Sequence, residues 1–383
     1  MVNLLDLIQC DDESSIQFLK RKAYFARLIQ HRFDYSSKCL NGFLDTGNIK
    51  PINNSLLCDI KSFWHSYLGD NIDIIDFRWY DVFNTIEDDK DLVKYYMPDD
   101  FYYAFIDEYY SNPQHSAPCD DKNFYDLYFP EAKLPKTLFR KVGQSFLNDK
   151  YEIISMEEVL GICRTHDKII LKKSRFSGGG LGVTFIDTNI SDNELNKALS
   201  SINSSFICQD IVKQHPELNK LNATSLNTIR VQTMVRNNKV DVLSPLIRVG
   251  QKGSRTDNLT GGGMVCGIND DGTLKSRVFD LKSQKHELSP QGYKFSNIRI
   301  PNFERCTELV SRLAVRFSDI TKLMSWDVAI NEDAEPVLIE TNLTFSGVDV
   351  HQLANGPIFG KNPEPIIEEV VNNSYTLRKL LRF

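Results

Sequence analysis

The chain of 383 residues carries 45 Lys and Arg against 51 Asp and Glu, and a net charge of −6 gives no electrostatic footprint for nucleic acid or an anionic membrane. With 41% hydrophobic and 25% charged residues it has the composition of a soluble globular protein of two or three subdomains, and no run approaches the roughly eighteen apolar residues of a spanning helix. The start Met1-Val2-Asn3-Leu4 lacks a secretory signal's basic opening, and eight cysteines without a CxxC spacing favour free thiols over zinc or disulfides, so the expected compartment is the cytoplasm.

Residues 1–115 read as a mainly helical region. Glu13–Phe33 has helical apolar spacing at Ile16, Leu19, Tyr24 and Leu28, and Leu56–Leu68 predicts a second helix. The stretch 72–110 is crowded with aromatics, among them Phe77, Trp79, Tyr80, Phe83, Tyr96, Phe101, Tyr102 and Tyr103, and is expected to be core or inter-domain packing. Ser111-Asn112-Pro113-Gln114 breaks the pattern and marks a boundary. Strands are then predicted at Thr137–Val142, Ile169–Lys172 and Val183–Asp187. A helix follows at Asn193–Ser201, with Ser191 as N-cap and Glu194 completing a capping box. Ser205–Val212 is a further strand, and Thr228–Val235 pairs with Val240–Arg248 around Asn237-Asn238, a hairpin signal. Gly263–Ile268 and Leu274–Asp280 flank a turn, and Phe303–Ile320 is an amphipathic helix. Strands outnumber helices and hairpins recur, which predicts an α+β architecture.

Two strand-like segments near the C-terminus, Trp326–Ile330 and Val337–Asn342, carry Asp327, Glu340 and Asn342. Alternation along a strand puts Glu340 and Asn342 on one side, and an antiparallel return through Asn331-Glu332-Asp333 brings Asp327 beside them. Two carboxylates and an amide oxygen suit Mg²⁺ shared with a nucleotide's phosphates, although a surface hairpin with solvated acids has the same pattern. Lys172 ends a strand before Ser177-Gly178-Gly179-Gly180, where backbone N–H groups can cradle phosphate oxygens; a flexible hairpin tip is the alternative. Arg230 lies in an apolar run, where an anionic partner is needed, either a ligand or a structural acid. His215 and His351 are read as packed or hydrogen-bonded side chains.

The phrases DKNFYDLYFPEAKLPKT, LKKSRFSGGGLGV, QHPELNKLNATSLNTIRV, IRVGQKGSRTDNLTGGGMV and SWDVAINEDAEPVLIETN, in this order over about residues 120–360, resemble the ATP-grasp superfamily, closest to its sugar-transfer-associated branch. That resemblance implies two α+β subdomains gripping ATP, at 116–212 with the glycine loop and 213–383 with the metal site. It implies Lys122 and Lys172 on ATP phosphates, with Ser177 and Gly178–Gly180 as a loop closing over them. Gln209, Ile211 and Val212 would hold adenine and Glu217 the ribose. Arg230 would stabilise the transferred phosphoryl group, acting with Lys172, and Asp327, Glu340 and Asn342 would bind Mg²⁺. Arg248, Asp257, Asn258 and Gly262 fall where the branch has its own motif and are assigned to the second substrate. The chain departs from many members at Gln209, at Lys173 and at Ala334-Glu335.

The expected activity is therefore an ATP-dependent ligase joining a carboxylate to an amine, such as an amino acid or amino sugar, in cell-surface polysaccharide or glycoconjugate assembly. Phosphorylation of a hydroxyl is the alternative, and a non-catalytic nucleotide-binding module a third. Neutralising Asp327 or Glu340 is expected to abolish turnover and spare the fold.

Overall fold

The N-terminal helix spans Ile16–Leu44 in the computed structural model, which describes residues 16–111, 116–175, 182–374 and 376–377. It runs on past Phe33 because its buried stripe continues through Ile29, Arg32, Ser36, Leu40 and Phe43, with two polar members that hide the periodicity from an apolar count. Arg32 is tolerated there because its Nη1 donates to Asp107 Oδ2 at 2.8 Å, both side chains being fully buried. The second helix occupies Asn54–Leu68 and begins with the Asn53 side chain accepting from Leu56 N–H.

Strands β1 (Thr137–Val142), β2 (Ser145–Leu147), β3 (Ile153–Ile154), β4 (Lys168–Lys173), β5 (Val183–Asp187) and β6 (Phe206–Gln209) form an antiparallel sheet in the order β3-β2-β1-β6-β4-β5. A second antiparallel sheet is built from β7 (Thr228–Arg236), β8 (Lys239–Val249), β9 (Met264–Ile268), β10 (Leu274–Asp280), β11 (Leu323–Ile330) and β12 (Pro336–Asn342), ordered β10-β9-β8-β7-β11-β12. The architecture is α+β. The Asn237-Asn238 turn closes β7 on β8 with both residues at positive φ, the backbone that a two-residue hairpin needs and that Asn tolerates. The Ser191/Glu194 capping box is present and starts the helix Asp192–Ser200; Ser155 and Glu158 do the same for Met156–Cys163. β6 is shorter than the predicted Ser205–Val212: Asp210 N–H still bonds Lys136 O in register with the Thr137–Gln209 pair, and the ladder ends where the Asp210 carboxylate takes Ile211 N–H.

Both short helices pack on the first sheet, Val159, Cys163, Leu195 and Leu199 meeting Phe139, Leu171 and Phe206. The second sheet is covered on both faces. The helix Phe303–Phe317 lays Leu309 and Leu313 against Val231 and Trp326. On the other face Trp79, Phe83, Phe101 and Tyr102 of the N-terminal region share one core with Met234, Leu246, Val265 and Phe279, joined by the helices Asp349–Asn355 and Glu364–Asn373. The aromatic-rich stretch is core, as its composition predicts, and several polar tips are partnered: Tyr80 Oη accepts from Trp64 Nε1 at 2.6 Å and Tyr96 Oη donates to Glu87 at 2.7 Å. Among the described residues no helix is long and apolar enough to cross a membrane.

Removing the anion from the buried Arg32–Asp107 pair leaves an uncompensated guanidinium. Asp107→Ala is expected to destabilise the protein by about 3–5 kcal/mol in urea denaturation; a loss below about 1 kcal/mol would show that the pair does not anchor the N-terminal helix.

Candidate active site

Both sheets and one short 3₁₀ turn, Lys122–Phe124, converge on a cleft. Lys172 comes from β4, Arg230 from β7, Arg248 from β8, and Glu340 and Asn342 from β12; with Lys122, Thr228, Asp257 and Asn258 they line a cavity of about 140 Å³. Ile170, Lys172, Phe185, Leu226, Arg255 and Ile339 also line an adjoining cavity of about 340 Å³, which extends to Ile211 and Val212. The first cavity gathers five cationic side chains, and the second sets Ile170, Phe185, Ile211, Val212, Leu226 and Ile339 among polar ones.

The register explains the carboxylates. β11 pairs with β12 so that Asp327 faces Glu340 and Ser325 faces Asn342, and the ladder slips just beyond Asp327. On its other side β11 pairs with β7, placing Asp327 opposite Arg230. Arg230 grips Asp327 with two hydrogen bonds, Nε to Oδ1 at 2.8 Å and Nη2 to Oδ2 at 2.9 Å. Arg248 adds a third, Nη2 to Oδ2 at 3.0 Å, and donates to the Thr228 hydroxyl from Nε and Nη2 at 3.0 and 2.7 Å. The Thr228 hydroxyl in turn donates to Asp257, which lies 3.2 Å from Arg248 Nε. Lys122 closes the rim by donating to Glu340 Oε1 at 2.7 Å.

Charge states follow from these contacts. Burial works to raise the Asp327 carboxyl, but Arg230 and Arg248 outweigh it and hold it down at about 2. Burial works to lower Lys122, and neighbouring Tyr125 and Glu340 carry it above the ordinary lysine range. Lys172 is the exception: burial pulls it down to about 8, against the opposing pull of Glu340 and with the help of Lys122. Asp120 is pushed up to about 6, mainly by burial.

Of the residues singled out from the sequence, Lys122, Lys172, Arg230, Arg248, Asp257, Asn258, Glu340 and Asn342 line one cavity, and Ile211 and Val212 the next. Asp327 lies beneath, 1% exposed. Ser177, Gly178, Gly179 and Gly180 lie outside the described residues. Three stand outside both linings. Gln209 is buried at the end of β6, its Nε2 donating to Pro135 O at 3.4 Å. Glu217 pairs with Lys220 at 2.7 Å, and Gly262 sits in a turn at φ +86°, where a Cβ would strike Gln251. His215 Nδ1 accepts from Glu217 N–H as a helix cap, while His351 is buried, donates Nδ1–H to Ser244 O at 2.7 Å, and is pushed down to about 4 by burial.

The sequence reading left out Thr228, Phe185 and Arg255. Arg255, in the quoted GSRTDN run, places its guanidinium 5.5 Å over Phe185 and so reaches from the loop after β8 to the first sheet. The polar run Gln214–Asn227 acts on the backbone instead. Gln214 donates to Asn219, Asn222 O and Ser225 O and accepts from Asn227, while Asn222 bonds Gly250 O and Gln251 O. A separate cavity of about 480 Å³ in the N-terminal region, lined by Asp34, Asp73, Asp76 and Asp100 among others, shares no residue with the cleft.

A family model described as sugar-transfer associated ATP-grasp matches residues 111–362. No curated protein matches the sequence. Among solved structures, D-alanyl-alanine synthetase A from Vibrio cholerae is similar at 15% identity and a TM-score of 0.40, over 71% of this chain and 68% of that one. L-amino acid ligase from Bacillus licheniformis gives 11% and 0.38 over 68% and 48%, and N5-carboxyaminoimidazole synthase from Aspergillus clavatus 10% and 0.36 over 71% and 54%. The chain thus spans about half the length of these last two.

Because Asp327 is the shared anion of two guanidiniums, its neutralisation is not silent toward the fold. Asp327→Asn is expected to lower stability by about 3–5 kcal/mol, and a double-mutant cycle with Arg230→Met to show a coupling of about 0.5–3 kcal/mol. Strictly additive losses in urea denaturation would contradict the pairing.

Proposed function

The chain belongs to the sugar-transfer-associated ATP-grasp family, and from that premise we propose that it is an ATP-dependent ligase joining a carboxylate to an amine. The observation that carries this reading is the convergence of Lys122, Lys172, Arg230 and Arg248 with Glu340 and Asn342 on one cleft between two sheets. With Arg255, five cations facing one small space suit a polyanion, and Ile170, Phe185, Ile211, Val212 and Ile339 in the neighbouring space suit a flat base.

The donor chemistry fits Mg²⁺. Glu340 lines the cavity, and the buried Asn342 amide nitrogen has no hydrogen-bond partner, so a half-turn of the amide presents its oxygen instead. Glu340 and Asn342 would hold the ion, with Asp327 joining them as Arg230 and Arg248 turn from it toward phosphate oxygens. When bound, Mg²⁺ supplies charge neutralisation across the β- and γ-phosphates. Lys122, released from Glu340, and Lys172 would ground the phosphates, and Arg230 would stabilise charge on the transferred group. Attack of the substrate carboxylate on the γ-phosphate gives an acyl phosphate and ADP. The amine then adds to the acyl carbon, phosphate leaves, and the lost proton passes to solvent or a base, forming an amide. The family's sugar-transfer association supports an amino acid or amino sugar as a substrate, in cell-surface polysaccharide or glycoconjugate assembly in the cytoplasm.

Product analysis tests the reaction: phosphate release is expected only when carboxylate and amine are both present. A stable phosphorylated product without phosphate release would reject the ligase in favour of a phosphotransferase. Glu340→Gln, which takes the acid from the buried Lys122, is expected to cut ADP formation by at least about 100-fold in a protein that still folds but melts lower. Normal turnover would remove Glu340 from the site. Lys172 carries its charge below about pH 8 and loses it above. Nucleotide affinity, measured calorimetrically, is therefore expected to weaken roughly tenfold as pH rises through this value, and Lys172→Arg to abolish that fall.

A further inference from the structure

No two cysteines share a metal-binding motif in the sequence, yet the fold gathers a ligand set from three distant segments. Cys39 lies on the helix Ile16–Leu44, Asp99 opens the short helix Asp99–Phe101, and Asp349 begins the helix after β12. The Cys39 sulfur and one oxygen from each carboxylate all lie within 4.8 Å of one another. Asp99 is fully buried, and neither of its oxygens has a hydrogen-bond partner. An unpartnered buried carboxyl is unfavourable whether charged or protonated, and the groups acting on Asp99 are the acids Asp349 and Asp100, which make it worse. Tyr35 lies beside Cys39 and Tyr103 beside Asp349, and the Tyr103 hydroxyl accepts from Val348 N–H at 3.2 Å, next to Asp349 in the chain.

We propose that Cys39, Asp99 and Asp349 bind a divalent cation of borderline softness, with Zn²⁺ the best match, at a site separate from the cleft. An ion centred among three atoms so spaced lies no more than about 2.8 Å from each, and a small closure reaches the ~2.0–2.3 Å of zinc bonds. A thiolate beside two carboxylates selects zinc over Mg²⁺ or Ca²⁺, which take oxygen sets. The ion neutralises the otherwise unpartnered Asp99 and ties the N-terminal helix to the segment that follows β12. A fourth position is left for water. The site does not depend on the ligase reading.

Co²⁺ titration of the chelator-treated full chain in excess Mg²⁺ tests it. One equivalent is expected to bind with a thiolate-to-cobalt charge-transfer band, to be displaced by Zn²⁺, and to raise the melting temperature by several degrees. Cys39→Ser is expected to lose the band, and Asp349→Asn to weaken binding at least tenfold. Asp99→Asn removes the unpartnered acid, so it is expected to melt higher than the parent without metal and to lose the metal-induced rise. Absence of stoichiometric binding, or a band that survives Cys39→Ser, overturns the proposal. So does an Asp99→Asn protein that keeps the metal-induced rise.

Discussion

One buried carboxylate governs the geometry of the cleft. Asp327 is nearly inaccessible to solvent and shared by Arg230 and Arg248, so a single anion fixes side chains from β11, β7 and β8 across the centre of the second sheet. Two guanidiniums in so small a space repel each other, and the shared acid is what lets both point toward the cavity. Lys122 and Glu340 repeat the arrangement at the rim. Lys122, Arg230 and Arg248 thereby line the cleft already desolvated and oriented, each held by an acid that an incoming anion can replace with little change in local charge. Such preorganisation is the main electrostatic lever open to a protein that handles polyanions.

Much of the fold was legible where local chemistry decides the outcome. The Ser191/Glu194 capping box and the Asn237-Asn238 turn are encoded within a few residues, and both form as the sequence implies. Elements set by distant contacts were harder. The N-terminal helix outruns its apolar pattern because Arg32 and Ser36 occupy the buried stripe, an arrangement that only Asp107, far along the chain, makes tolerable. β6 stops early where the Asp210 carboxylate takes the N–H of Ile211.

The cleft residues divide along the same line. Arg230 announced itself as a charge in an apolar run, and strand alternation put Glu340 beside Asn342; neither inference needed tertiary information. The polar run from Gln214 to Asn227 carries a similar density of hydrogen-bonding groups, yet it serves to knot backbone segments together. Composition cannot separate the two cases, because a side-chain amide facing a carbonyl and one facing a ligand have identical chemistry. Arg255 went unnoticed for the opposite reason: an arginine in a glycine-flanked loop has no local reason to be functional, and its partner Phe185 belongs to the other sheet.

The N-terminal region is welded to the second sheet by more than apolar contact. Gln352 accepts from Met97 N–H at 2.9 Å and donates to Met97 O at 2.8 Å, Arg277 reaches Glu87 and Tyr96 at 2.8 Å, and Gln232 donates to Tyr102 and Ser346 at 2.6 Å. The first sheet has its own interior, filled from its strands and from the helices Met156–Cys163 and Asp192–Ser200. The cleft thus lies where two separately filled interiors meet, and its lining mixes Ile170, Phe185, Leu226 and Ile339 with charged side chains. A substitution inside the first sheet's interior is therefore expected to act locally, leaving the packing of the N-terminal region on the second sheet as it is.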